Sequence, residues 1–252
     1  MKRLSSKRSS SQTTNATSKN HIQDRPSNPP SSEELTLTAM TLQSALKQFA
    51  CGSSHTPGSI TARRCTPVPP TFDARFSCLW KRYVYTISCS NTRSPFLSRY
   101  AWEMDTLLDY DAMVKASVLL SGRHNFSWLS VIEPGDQMDP IRHLNLLVDR
   151  WKGNVVWNTC SQPHEKDYDE KEPILFRISA TTDFFLYKMT RRIVGVLVAI
   201  GSGKVSMTDL EECILCHDTG TENGNCSIPT GLLQTAPACG LTLDHVEYNI
   251  PI

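Results

Sequence analysis

Within "PIRHLNLLVDRW", Leu144, Leu146 and Val148 alternate with Asn145, Leu147 and Asp149. A period of two turns one set of side chains to a core and the other to water, so this stretch reads as a strand of a sheet covered on a single face. "NVVWNTC" and "PILFRISAT" are further strand candidates, separated by polar, loop-like segments. A half-buried sheet of this kind needs helices to cover it. In "FFLYKMTRRIVGVLVAIGSG", Phe185, Met189, Ile193, Val196 and Ile200 recur at spacings of three and four ahead of Gly201 and Gly203, which predicts a core helix with one charged shoulder. Asp109 can cap a helix from about 110 to 121 that ends at Gly122, and Ser206 with Asp209 makes a capping-box start for "SMTDLEECILCHD". "SSEELTLTAMTLQSALKQF" suits a helix of modest length, ended by Gly52 and Pro57, and "APACGLTLDHVEYNI" closes the chain as another strand. The hairpin-like strand pairs argue against a parallel doubly wound sheet. The expectation is an α+β fold, mainly antiparallel sheet with packed helices.

Composition sets the surroundings of that fold. Residues 1–32 are Ser, Thr, Asn, Pro and Lys/Arg with almost no large apolar side chains, too little to offset the entropy of ordering. They read as a disordered basic, Ser-rich tail, and residues 33–252 as the folded part. A basic, acid-poor start also resembles an organelle transit peptide. The net charge of +1 hides an asymmetry: residues 1–30 hold six basic residues against Asp24 alone, leaving 20 basic and 24 acidic residues in the remainder. Nucleic-acid binding by the folded part would therefore need a local basic patch. No apolar run reaches the length of a membrane span. The nine cysteines lack a short secreted framework and read as reduced thiols of an intracellular protein, in cytoplasm, nucleus or an organelle.

Three constellations could carry chemistry. "PPTFDARFSCLWKRYVYTISC" crowds Arg75, Lys81, Arg82, Tyr83 and Tyr85 into one candidate strand. If Arg75 to Ile87 stays extended, parity puts Arg75, Lys81, Tyr83 and Tyr85 on one face and Phe72, Ala74, Phe76 and Val84 on the other. A guanidinium beside tyrosine rings can hold a phosphate or carboxylate while the rings stack a base; a solvated face is the plainer reading. In "FFLYKMTRRIVG", Lys188, Arg191 and Arg192 place three cations within one turn, able to grip phosphates or simply to face water. "CILCH", Cys213 to His217, matches a c-type haem attachment pattern, and its cysteines with Cys226 and Cys239 could be drawn as a zinc site. Its place in a capped helix favours partly buried thiols instead. "GSGK" at Gly201 to Lys204 is too short for a phosphate-binding loop and reads as a helix stop, and no nucleophile elbow, zincin helix or dinucleotide fingerprint occurs.

Taken in order, "FDARFSC", "KRYVYTI", "FLSRYAWEM", "LLSGRHNFSWLS", "DPIRHLNLLV", "FLYKMTRRIVGVLVAIGSGK" and "TAPACGLTLDHVEY" resemble the TruA-type tRNA pseudouridine synthases from about Ile60 to Tyr248. The resemblance implies a pseudouridine synthase fold acting on uridines in the anticodon arm of tRNA. It also implies a homodimer that lays the tRNA across a basic cleft, with no cofactor and no metal. It gives Arg75 the role of pairing with a catalytic aspartate and Tyr83 that of stacking on the flipped base. Arg191, with Lys188 and Arg192 nearby, would border the RNA cleft, and Lys81 and Arg82 would join the RNA-facing set. The family's nucleophile is the aspartate of a Gly-Arg-Thr-Asp-type motif ahead of these blocks. No such motif occurs here, and upstream of Ile60 the only acids are Asp24, Glu33 and Glu34. Asp73 matches the variable position of "FDARF". The resemblance thus implies an N-terminally truncated member.

Overall fold

The computed structural model describes residues 68–91, 93–131, 138–152, 173–220, 228 and 234–249, with scattered positions between 33 and 45. The tail and "NVVWNTC" lie outside these residues. The chain divides into two units, Met1–Pro70 with Ile252, and Thr71–Pro251. In the first, the described positions Glu33, Thr38, Met40, Thr41, Leu42, Ser44 and Ala45 are helical, as the spacing predicts.

The second unit is built on a six-stranded mixed sheet among its described residues. β1 (Cys78–Cys89) is its hub. β5 (Ile174–Thr182) runs antiparallel along one side of it, and β4 (Ile141–Lys152) and β3 (Gly122–Asn125) follow outward, also antiparallel. Along the other side of β1, β6 (Leu241–Tyr248) pairs antiparallel with Cys78–Tyr85, and the short β2 (Trp102–Met104) pairs parallel with Ile87–Cys89. Among the described residues the unit's α-helices are α1 (Tyr110–Leu120), α2 (Met189–Gly201) and α3 (Met207–Thr219). This is the α+β arrangement expected from the alternation and helical periods.

The two faces of the sheet are unlike, as the alternation in β4 requires. Tyr85, Ile87 and Cys89 of β1, Leu144, Leu146 and Val148 of β4, and Phe176, Ile178 and Ala180 of β5 form one buried cluster with Met113, Ala116 and Leu120 of α1 and Ile193, Val196 and Leu197 of α2. Burying one of its Leu, Ile, Val, Phe or Met side chains contributes about 1.5–3 kcal/mol. The other face carries Arg82, Asn145, Asp149, Arg177, Ser179 and Thr181, which line a shallow groove. α2 departs from a one-sided pattern, because every residue from Ile193 to Gly201 is buried.

The caps follow the sequence. The Asp109 carboxylate accepts from the Ala112 amide at 3.1 Å, and Ser206 and Asp209 exchange both capping-box bonds. Each satisfies amides that have no partner within the helix. Gly122 does more than end α1: at φ +114° it opens β3, opposite Leu144. Among the described residues, Cys213, buried on α3, departs from the reading of reduced thiols, since it is disulfide-bonded. Pairing depends on tertiary approach of two thiols, which spacing along the chain does not reveal. Cys78, Cys89 and Cys239 are free thiols. Among the described residues, no helix is long and apolar enough to cross a membrane.

Candidate functional site

One pocket of about 330 Å³ opens where the start of β1, the segment leading into α2 and the loop after β3 converge. That size lies in the range of small-molecule sites. Arg75, Tyr83, Ser130, Phe185, Tyr187 and Lys188 are among its lining residues.

Arg75 arrives by a route the parity argument did not anticipate. It lies in a turn ahead of β1, because the Asp73 carboxylate accepts from the amides of Arg75 and Phe76 at 2.7 and 3.0 Å and curls the chain there. Such aspartate-capped turns compete directly with extended backbone. Two further bonds fix the turn: Lys81 Nζ donates to the Arg75 carbonyl at 3.0 Å, and Tyr248 Oη to the Ala74 carbonyl at 2.7 Å. Lys81 thus holds the backbone of Arg75 and does not line the pocket. The Arg75 guanidinium lies over the Phe76 ring at 5.1 Å, and among the described residues it has no carboxylate partner. Tyr83, on β1 proper, meets the Phe185 ring edge-on at 4.8 Å. The expected meeting of Arg75 and Tyr83 occurs, through turn and strand in place of a single strand.

The lead into α2 is the second departure. The spacing predicts a helix through Phe185, but α2 starts at Met189, and Lys188 adopts φ 60° in the left-handed region. A side chain there costs about 1 kcal/mol or more, and such residues cluster at ligand sites. The turn directs Phe184, Phe185 and Tyr187 into the pocket lining in place of a helix face. The Asp183 carboxylate helps by accepting from the Phe184 amide at 2.7 Å. Lys188 Nζ lies 5.1 Å over the Tyr187 ring. These aromatics were missed from sequence as site residues; the clue was Phe184 and Tyr187, large rings off the apolar stripe of a helix.

Arg191 and Arg192 lie outside the pocket lining and are engaged with the backbone. Arg191 Nε donates to the Ala236 carbonyl at 2.6 Å, and the Ala236 amide returns a bond to the Arg191 carbonyl at 3.0 Å. This clamps residues 234–236 across α2. A Cβ at Gly195 would run into the Gln234 carbonyl, so glycine allows the crossing. Arg192 Nη1 donates to the Ser130 carbonyl at 2.6 Å, securing the loop that forms one pocket wall. Arg82 is on the opposite sheet face, bonded to Asp244 at 2.6 Å. Of the seven residues singled out from sequence, the pocket gathers Arg75, Tyr83 and Lys188.

A family model described as tRNA pseudouridine synthase matches residues 116–249. The chain belongs to the tRNA pseudouridine synthase family. It is 31% identical over 192 residues to tRNA pseudouridine synthase A of Burkholderia thailandensis, a match covering 76% of this chain and 60% of the relative. It is 32% identical over 194 residues to the protein of the same name from Beijerinckia indica, covering 76% and 62%. The chain thus spans about three fifths of the length of these curated relatives. The pseudouridine synthase fold expected from the sequence blocks is the α+β sheet described above.

Proposed function

We propose that the chain captures a uridine of tRNA, in the anticodon arm, for isomerisation to pseudouridine. The observation that carries this reading is the convergence of Arg75, Tyr83 and Lys188 on one pocket with three phenyl or phenol rings. Enzymes that act on a base take it out of its stack and hold it between aromatic and polar groups. Tyr83 would stack on the flipped uracil and help remove the C5 proton, while Lys188 holds a neighbouring phosphate. The isomerisation breaks the bond between N1 and C1′, forms one between C5 and C1′, and ends with the proton on N1. Where a carboxylate attacks, Arg75 would keep it ionised and oriented; with none supplied, its guanidinium is left to meet a phosphate, as Lys188 does. Two copies of the protein would lay the tRNA across a basic cleft, wherever in the cell that tRNA resides.

A second reading, capture without turnover, is favoured by the absence of any Asp or Glu among the described residues that line the pocket. The test is a tRNA transcript incubated with the chain, with binding read by filter retention and pseudouridine by carbodiimide adducts. Binding at low salt with pseudouridine in the anticodon arm supports the isomerase. Binding without product supports capture alone, and no binding at low salt removes both.

A further inference from the structure

Two large rings stand largely in water: Tyr187, in the pocket lining, and Phe76, next in sequence to Arg75 of that lining. Phe76 is 66% exposed and Tyr187 60% exposed, and neither contributes its full area to a core. Each sits beneath a cation whose neighbour role is set by the backbone. The Arg75 guanidinium covers one face of Phe76 at 5.1 Å, and Lys188 Nζ covers one face of Tyr187 at 5.1 Å. Each pair thus presents a flat apolar surface beside a positive charge, with no carboxylate among the described residues to neutralise it. On the opposite sheet face the situation is reversed, because Arg82 is closed against Asp244 at 2.6 Å.

A flat ring beside an unpaired cation is the unit that single-stranded nucleic acid uses: a base stacks on the ring or on the guanidinium plane, and the phosphate meets the charge. A nucleotide flipped into the pocket leaves its two neighbours unstacked on the duplex side. Resting on the reading of the pocket given above, we infer that Phe76 and Tyr187 are stacking platforms for the bases on either side of the captured uridine. Arg75 and Lys188 hold the adjoining phosphates. The left-handed backbone at Lys188 has a purpose in this arrangement, since it breaks the helix early enough to leave Tyr187 outside the core. The anchored turn at Asp73 does the same for Phe76.

The test uses the full chain and two labelled five-nucleotide oligouridylates. One is intact, and the other lacks the bases on both sides of the central uridine. Fluorescence anisotropy at low salt should show the intact oligomer bound about tenfold more tightly than the abasic one. Phe76→Leu and Tyr187→Leu, both at exposed positions and checked for an unchanged melting temperature, should each weaken the intact oligomer severalfold. The double variant should no longer distinguish the two oligomers, because both stacking surfaces are then gone. Variants that bind the intact oligomer as the parent does, or that weaken both oligomers equally, overturn the platforms. A parent chain that binds the two oligomers equally also overturns them while leaving the pocket reading in place. If the parent binds neither oligomer, that reading falls and the platforms with it.

Discussion

Tyr85→Ala is expected to remove about 3–5 kcal/mol of stability from the unit that holds the pocket. Tyr85 is fully buried on β1 between the sheet and the segment that leads into β6, and its hydroxyl donates to the Pro237 carbonyl at 2.7 Å. The backbone at Gly240 passes so close to the ring that a Cβ there would lie 2.7 Å from it. Truncation leaves a large cavity and a carbonyl without its donor. Tyr85→Phe separates the two effects and should lose only about 1 kcal/mol, that of the hydrogen bond. Urea denaturation of the three proteins distinguishes them. The same burial sets an alkaline limit. Burial pushes the Cys89 thiol from 9.0 up to about 11 and also raises the Tyr85 phenol above its usual 10.0. Unfolding releases these protons more readily than the folded state does, so stability is full below about pH 9 and falls as pH rises above it. Cys89 alone accounts for about 2 kcal/mol lost by pH 11. Cys89→Ala should delay the onset of that fall in a urea midpoint series from pH 8 to 11.

Arg75→Ala and Lys188→Ala are each expected to weaken tRNA binding about tenfold at low salt and to reduce the slope of log K against log salt by about one. Their melting temperatures should hardly move, because Arg75 and Lys188 are both exposed. Arg192→Ala should behave in the opposite way. Its guanidinium bonds the Ser130 carbonyl, so its loss should lower stability by about 1.5–3 kcal/mol and leave the salt slope unchanged. Filter binding across a salt series, with thermal melts beside it, separates charges that meet RNA from charges that brace the fold.

That contrast shows where the sequence was legible. The alternation in β4 displayed its buried face, and the caps at Asp109 and Ser206 marked helix starts, because these signals depend on residues within a few positions of each other. The site was legible in its members and not in its geometry. Arg75 and Tyr83 share a pocket, but the Asp73 turn replaces the straight strand that parity assumed. A cation count in "KMTRR" gave no way to tell Lys188, turned outward by a left-handed backbone, from Arg191 and Arg192, whose partners are carbonyls of Ala236 and Ser130. Those partners lie tens of residues away in sequence, and the choice between a phosphate and a distant carbonyl is made only by tertiary packing.

The central claim is that the uridine enters beside Tyr83 and not on the opposite face of the sheet. The most direct measurement is photocrosslinking of the chain to tRNA carrying 5-iodouridine in the anticodon arm, with the adduct located by mass spectrometry. The account predicts adducts on the peptides that contain Tyr83 and Phe184 to Tyr187. Adducts confined to the groove of Arg82, Leu147 and Arg177 would contradict it.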